Sequence, residues 1–184
     1  KRAFTDYKSN DSEFIKKLAF LSYQSEVYQV RMYSVFLFGY LSEDKNILMF
    51  LRDEVSKDSN WRVQEVLAKS FDEFCKIIGY EKALPVIDDW LKNSNHNTRR
   101  AVTEGLRIWT GRPYFKANPN EAIRRLAALR DDPSEYVRKS VGNALRDISK
   151  KYPELIRVEL STWSLETKAI KQVYQLANKL LIKS

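Results

Sequence analysis

Four short stretches, QVRM (29–32), NWRV (60–63), NTRR (97–100) and YVRK (136–139), each set an arginine at the head of a helical pattern. With Arg31, Arg62, Arg99 and Arg138 as markers, the spacings are 31, 37 and 39 residues. Second helical segments fall between them, near 44–56, 81–92, 119–130 and 153–161. A helix pair recurring every ~35–45 residues is the pattern of HEAT and armadillo arrays. One such pair cannot bury its own apolar face, so the pairs must stack. The predicted fold is all-α: a HEAT/armadillo-like α-solenoid of antiparallel helix pairs wound into a curved right-handed superhelix. No linker or shift in composition interrupts residues 1–184, which read as one domain with residues 1–10, KRAFTDYKSN, as a loose arm.

The local patterns agree. With only 5 glycines and 5 prolines, the chain lacks the turn residues that an all-β fold consumes. In AVTEGLRIW the helical period gathers Ala101, Val102, Gly105, Leu106, Ile108 and Trp109 on one side. Val137, Val141, Ala144, Leu145 and Ile148 form a second such face, and Val63, Leu67, Ala68, Phe71, Phe74 and Cys75 a third. In DDPSEYVRK, Asp132 reads as an N-cap, with Pro133 at the first helical position and Glu135 closing a capping box. DSNWRV and NSNHNTRR supply Ser and Asn at the equivalent places.

Composition narrows function. Lys+Arg 32 against Asp+Glu 24 leaves +8, a balance that favours an acidic partner such as nucleic acid. The lone cysteine, Cys75, excludes an internal disulfide framework and points to a reducing, cytoplasmic setting. The longest apolar run, SVFLFGYL (34–41), is too short to span a bilayer, so no membrane partner is expected, and a monomer is. There is no glycine-rich phosphate loop, no CxxC pair and one histidine, His96, in a polar loop. Neither a metal nor a cofactor is expected.

The candidates for chemistry lie on the first helices. Trp61 and Glu65 sit one turn apart, opposite the apolar face, with Arg62 and Lys69 beside them. Glu104 and Asp147 share one flank of their own helices, in consecutive repeats, so both would face the same groove. Taken singly, Glu104 and Asp147 are better explained by helical pairing, with Arg100 and with Asn143 or Lys151, and Glu65 is equally explained by a pair with Lys69. The cations Arg62, Lys69, Arg99, Arg100, Arg107, Arg112, Arg138, Lys139, Arg146, Lys150 and Lys151 cluster on these first helices, while second helices such as EKALPVIDDWLK are far less basic. Such layering produces a charged stripe suited to a phosphate backbone.

The segments WRVQEVLAKSF, NTRRAVTEGLRIWTGRPY and SEYVRKSVGNALRDISKKYPE resemble the repeats of bacterial DNA alkylation repair proteins of the AlkC/AlkD type, HEAT-like-repeat DNA glycosylases acting on N3- and N7-alkylated purines. The resemblance covers about residues 30–165. It implies that Glu104, Glu65 and Asp147 are groove acids with Glu104 catalytic, that Trp61, Trp109 and Tyr114 contact the substrate, and that the cations bind DNA. AlkD-like enzymes carry WWD-x-VD where this chain has NWRVQE, and a tryptophan where it has Asn143; AlkC-like proteins carry PRLPW where it has RIWTGRPY. The partner implied is alkylated duplex DNA. Two other classes stay open: a non-catalytic HEAT-repeat binder of duplex or branched DNA, and a protein-binding scaffold.

Overall fold

The computed structural model describes residues 12–183, and the arm expected at residues 1–10 lies outside them. Among the described residues there are helices and turns and no strand, in keeping with the all-α repeat fold. The second-helix segments predicted from sequence appear as Lys45–Asp53, Tyr80–Leu91, Pro119–Ala127 and Pro153–Ser161, the last with the predicted bounds, the second shifted by one residue and the other two shortened. None of the described helices is long and apolar enough to cross a membrane. The chain divides into two compact units that meet at residues 83 and 84.

The first unit holds α1 (Ser12–Tyr23), α2 (Tyr28–Tyr40), α3 (Lys45–Asp53) and α4 (Trp61–Ile78), and ends in the first turn of α5 (Tyr80–Leu91). α2 packs against both α1 and α4. Asn60 caps α4 by accepting a hydrogen bond from the Arg62 N–H, and Gly79 ends it at φ 90°, a left-handed conformation in which a side chain would be strained. The buried face of α4 is the one its periodicity specifies: Val63, Leu67, Phe71 and Cys75 are fully enclosed. Phe20, Phe38 and Phe50 meet edge to face, with centroids 4.8–5.1 Å apart, and tie α1, α2 and α3 into one core. The backbones of α2 and α4 approach closely: a Cβ at Gly39 would lie 2.9 Å from the Ser70 Cα.

The second unit holds the rest of α5, then α6 (His96–Trp109), α7 (Pro113–Ala117), α8 (Pro119–Ala127), α9 (Glu135–Ser149), α10 (Pro153–Ser161) and α11 (Lys168–Asn178). α6, α9 and α11 pack in sequence as one layer, and α8 and α10 pack on each other in the second. Prolines open α7, α8 and α10, where the missing N–H costs nothing. Between α9 and α11 the contact is again through a glycine: a Cβ at Gly142 would lie 2.6 Å from the Leu176 Cβ. The predicted α9 face is buried throughout. On α6 the prediction fails at one residue, since Ile108 is 52% exposed while Trp109 is fully enclosed.

A recurring clasp underlies the sequence repeat. The fourth residue of each first helix reaches back to the carbonyl six residues earlier: Arg31 to Ser25 (2.9 Å), Gln64 to Asp58 (2.6 Å), Arg99 to Asn93 (2.7 Å) and Arg138 to Asp132 (2.7 Å). The second repeat is therefore marked by Gln64 and not by Arg62, and the spacings become 33, 35 and 39 residues. Arg31 also forks onto Asp58 at 2.8 and 3.0 Å, and Arg99 onto Asp132 at 2.7 and 2.8 Å. Arg138 meets the Gln172 side-chain oxygen at 3.0 Å. Asp132 is thus not the N-cap of α9. Ser134 is, and Asp132 accepts the Ser134 N–H at 2.8 Å while holding Arg99.

Candidate functional site

The seam between α6 and α9 brings together the acids that share a flank. Asn95 caps α6 by accepting the Asn97 N–H at 2.9 Å, which fixes where the helix starts and hence the direction of Glu104 more than two turns later. Glu104 Oε1 accepts a hydrogen bond of 2.8 Å from the Ser140 hydroxyl of α9. Its cationic neighbours are further away: Arg107 Nη1 at 3.4 Å and Arg100 Nη2 at 4.0 Å. Asp147 is bound more tightly, with Arg107 Nε at 2.6 Å, Lys150 at 3.1 Å and Arg146 at 3.3 Å. Arg107 therefore spans both carboxylates.

The two acids differ in environment. Burial pushes the Asp147 carboxyl up, but the hydrogen bond from Lys150 and the charge and hydrogen bond of Arg107 outweigh it, so its pKa is held below the ordinary carboxylate value. Asp147 is accordingly ionised near neutral pH and is no proton donor there. Glu104 rests chiefly on a neutral hydroxyl, its side chain 26% exposed against 15% for Asp147.

Around this pair lie planar groups that sequence reasoning missed. The Arg100 guanidinium stacks 4.3 Å from the centroid of Tyr136, an α9 residue that is 41% exposed, and His96 meets the same ring edge-on at 6.3 Å. The YVRK stretch drew attention to its arginine, yet the tyrosine before it forms the exposed platform. In the first unit, Arg62 lies over Trp61 at 4.3 Å and over Tyr28 at 5.4 Å, while Lys69 sits 5.8 Å from Phe36. Trp61 is 51% exposed, and Glu65 is exposed on the same helix.

Three residues singled out from sequence have other employment. Trp109 is fully enclosed and stacks on Phe115 at 5.6 Å, so it is a core residue and not a substrate contact. Gly105 makes room for it: a Cβ there would lie 2.4 Å from the indole. Arg99 is buried against Asp132, and Arg138 is committed to two loop carbonyls and Gln172, so neither is a DNA-facing cation. In the sequence both read as surface charge, because their acceptors lie in the preceding loop or more than 30 residues ahead. Tyr114 is half-buried, edge-on to Phe115 at 5.2 Å, and Arg112 occupies the N-cap of α7. Lys139 is exposed and pairs with Glu135 at 2.9 Å.

Comparison with known proteins identifies the fold and the family. A crystal structure of AlkD2 from Streptococcus mutans is 78% identical, with a TM-score of 0.93 over 97% of this chain and 86% of that one. The alkylpurine DNA glycosylase AlkC of Pseudomonas fluorescens, bound to DNA containing an abasic site analog, is 24% identical with a TM-score of 0.71, over 95% of this chain and 48% of that one, and shares the fold. The uncharacterized protein YhaZ of Bacillus subtilis is 36% identical over 91 residues, 47% of this chain and 26% of its own length, so the chain matches only about a quarter of that relative. The model of the DNA alkylation repair enzyme family matches residues 1–170, and the chain belongs to that family.

Proposed function

We propose that the protein hydrolyses the N-glycosidic bond of N3- or N7-alkylated purines in duplex DNA, with Glu104 as the carboxylate beside the sugar. The observation that carries this reading is the division of labour at the α6–α9 seam. Asp147 takes the close contact with Arg107, while Glu104 is held by Ser140 with its cations at 3.4 and 4.0 Å. Family membership and the named activity of the AlkC relative support it.

The chemistry fits such a group. An alkylated purine is already cationic, so it departs with the bonding electron pair as a neutral base and needs no proton. The sugar left behind has oxocarbenium character, which a nearby carboxylate stabilises electrostatically. Water adds to C1′ and its proton passes to the Glu104 carboxylate or to solvent, leaving an abasic site. Asp147 keeps Arg107 in place. In the second unit Arg100 contacts the duplex, and the first unit by itself offers Trp61, Arg62 and Lys69 as a DNA-contacting surface, with Glu65 on the same helix as Trp61.

The test is release of 3-methyladenine or 7-methylguanine from methylated duplex DNA by the unaltered protein, compared with Glu104→Gln. Release that falls at least 100-fold in the variant is the expected result, the order of a lost catalytic group. No release across several lesions overturns the enzymatic reading.

A second reading is favoured by Arg107 itself, which lies on both acids and offsets their charge. A site so compensated suits a non-catalytic binder of duplex or branched DNA. It predicts affinity without excision, weakening with salt at a slope of about −0.9 per phosphate neutralised.

A further inference from the structure

Ser140 and Thr103 are polar residues enclosed in the α6–α9 seam, Thr103 at 0% and Ser140 at 5% exposure. Their hydroxyls lie 2.6 Å apart, and Ser140 Oγ is 2.8 Å from Glu104 Oε1. A hydroxyl carries one proton. The carboxylate can only accept, so the Ser140 proton goes to Glu104, and the single Thr103 proton is shared between Ser140 Oγ and the Arg100 carbonyl oxygen. Thr103 Oγ1 also donates to the Arg100 carbonyl oxygen at 2.8 Å, inside α6, and this anchors the hydroxyl on its own helix. The result is a directed chain that starts on α6, crosses to α9 and returns to α6 at the acid.

We propose that Ser140 is a positioning residue, whose hydroxyl, oriented by Thr103, sets the direction of the Glu104 carboxylate from the neighbouring repeat. Arg100 and Arg107 flank Glu104 and, without Ser140, would draw it to one side or the other. The hydroxyl is the nearest of the three donors, at 2.8 Å against 3.4 and 4.0 Å. Packing of α9 on α6 thereby fixes the carboxylate, and a shift of either helix would move it. The catalytic consequence rests on Glu104 being the acid of hydrolysis; the orientation itself does not.

Two measurements on the full chain test this. In proton NMR the Ser140 hydroxyl, shielded from solvent, should give a slowly exchanging downfield resonance that vanishes in Ser140→Ala and shifts in Glu104→Gln. In excision assays Ser140→Ala should lower kcat by about ten-fold while KM stays within about two-fold, and Ser140→Thr should restore most of the rate. Thr103→Val, which keeps the shape and removes the second hydroxyl, should give an intermediate loss and covers the case in which Ser140→Ala folds poorly. A hydroxyl signal unmoved by Glu104→Gln overturns the proposal, as does a kcat unchanged in a folded Ser140→Ala protein. If the unaltered protein releases no base, the glycosylase reading alone falls, and the hydroxyl resonance still decides the role of Ser140.

Discussion

Arg99 and Asp132 lie 33 residues apart and meet through two parallel hydrogen bonds of 2.7 and 2.8 Å, with the side chains 9% and 2% exposed. The same guanidinium caps the carbonyls of Asn93 and Ser94, so one side chain orders the loop before its own helix and seizes the loop before the next. Arg31 does the same with Asp58. Paired in this way the charges are satisfied; alone, either would be stranded in a poorly hydrated place.

Removing one partner should therefore cost more than removing both. Asp132→Ala and Arg99→Ala are each expected to lower the unfolding free energy by about 3–5 kcal/mol. A double replacement by Leu and Met should cost less than either single change. Urea denaturation of the three variants measures this, and equal losses throughout would show that the pair adds little beyond its packing.

Helix contact through glycine predicts a second set of losses. Gly39→Ala places a methyl 2.9 Å from the Ser70 Cα, a backbone atom that can yield only if α2 and α4 separate. Gly142→Ala meets Leu176 at 2.6 Å and the Val173 carbonyl at 3.2 Å. Each should destabilise by about 1–3 kcal/mol, the usual range for overpacking. Gly79→Ala meets no atom and should instead be penalised by its φ of 90°. Melting temperatures of the three proteins would separate the two causes.

Stability should fall on the acid side for identifiable reasons. Burial pushes the Asp58 carboxyl up, yet its hydrogen bonds from Arg31 and the Asn60 N–H prevail and hold it below the ordinary value. Asp147 is lowered in the same sense. A depressed folded value means stabilisation that is complete above the unfolded pKa, near 3.9, and lost as pH drops through the folded one. The unfolding free energy should hold steady near neutrality and decline below about pH 4. Asp58→Asn should be less stable at pH 7 and show a shallower acid decline.

The thiol of Cys75 is fully enclosed, and burial, aided by the charge of Asp72, pushes its pKa well above the ordinary thiol value. Since the thiolate is the reactive form, alkylation by iodoacetamide should be slow in the folded protein. Labelling should follow the unfolding curve in urea, and fast labelling without denaturant would contradict the enclosed position.

Binding measurements should sort the arginines by employment. Arg62, which lies over Trp61 and Tyr28, is expected to touch DNA, so Arg62→Gln should reduce the salt slope of duplex binding by about 0.9 per phosphate lost. Arg138→Gln should leave that slope alone while lowering the melting temperature, because its guanidinium is already spoken for. Titrations at several salt concentrations would check both.

Much of the fold could be read before any coordinates. The buried face of α9 follows its period residue by residue and that of α4 does so except at half-buried Ala68, and the asparagine caps at Asn60 and Asn95 fall where the sequence places them. The shared flank of Glu104 and Asp147 was legible too, because it depends only on helical phase. What escaped depends on distant partners. Arg62 looked like a repeat marker since it is an arginine, whereas position in the helix decides, and Gln64 does that work with an amide. The resemblance makes Trp109 a substrate contact, but its period already sets it on the apolar face, and Phe115, beyond the end of α6, completes its enclosure. Ser140 lies on the same flank as Asp147, but only the register of α9 on α6 shows that its hydroxyl reaches Glu104.

The indole of Trp109 and the bare Cα of Gly105 occupy one space, since a methyl at 105 would sit 2.4 Å from the ring. The dipeptide Glu104-Gly105 therefore records two unrelated demands, an acid turned to the seam and a vacancy turned to the core. In descent the second demand ties residue 105 to residue 109, and the two should vary together, a larger side chain at one accompanying a smaller at the other. The glutamate is free of that bond. A relative that keeps the glycine and the tryptophan while losing the acid has preserved its architecture and abandoned whatever the carboxylate was for.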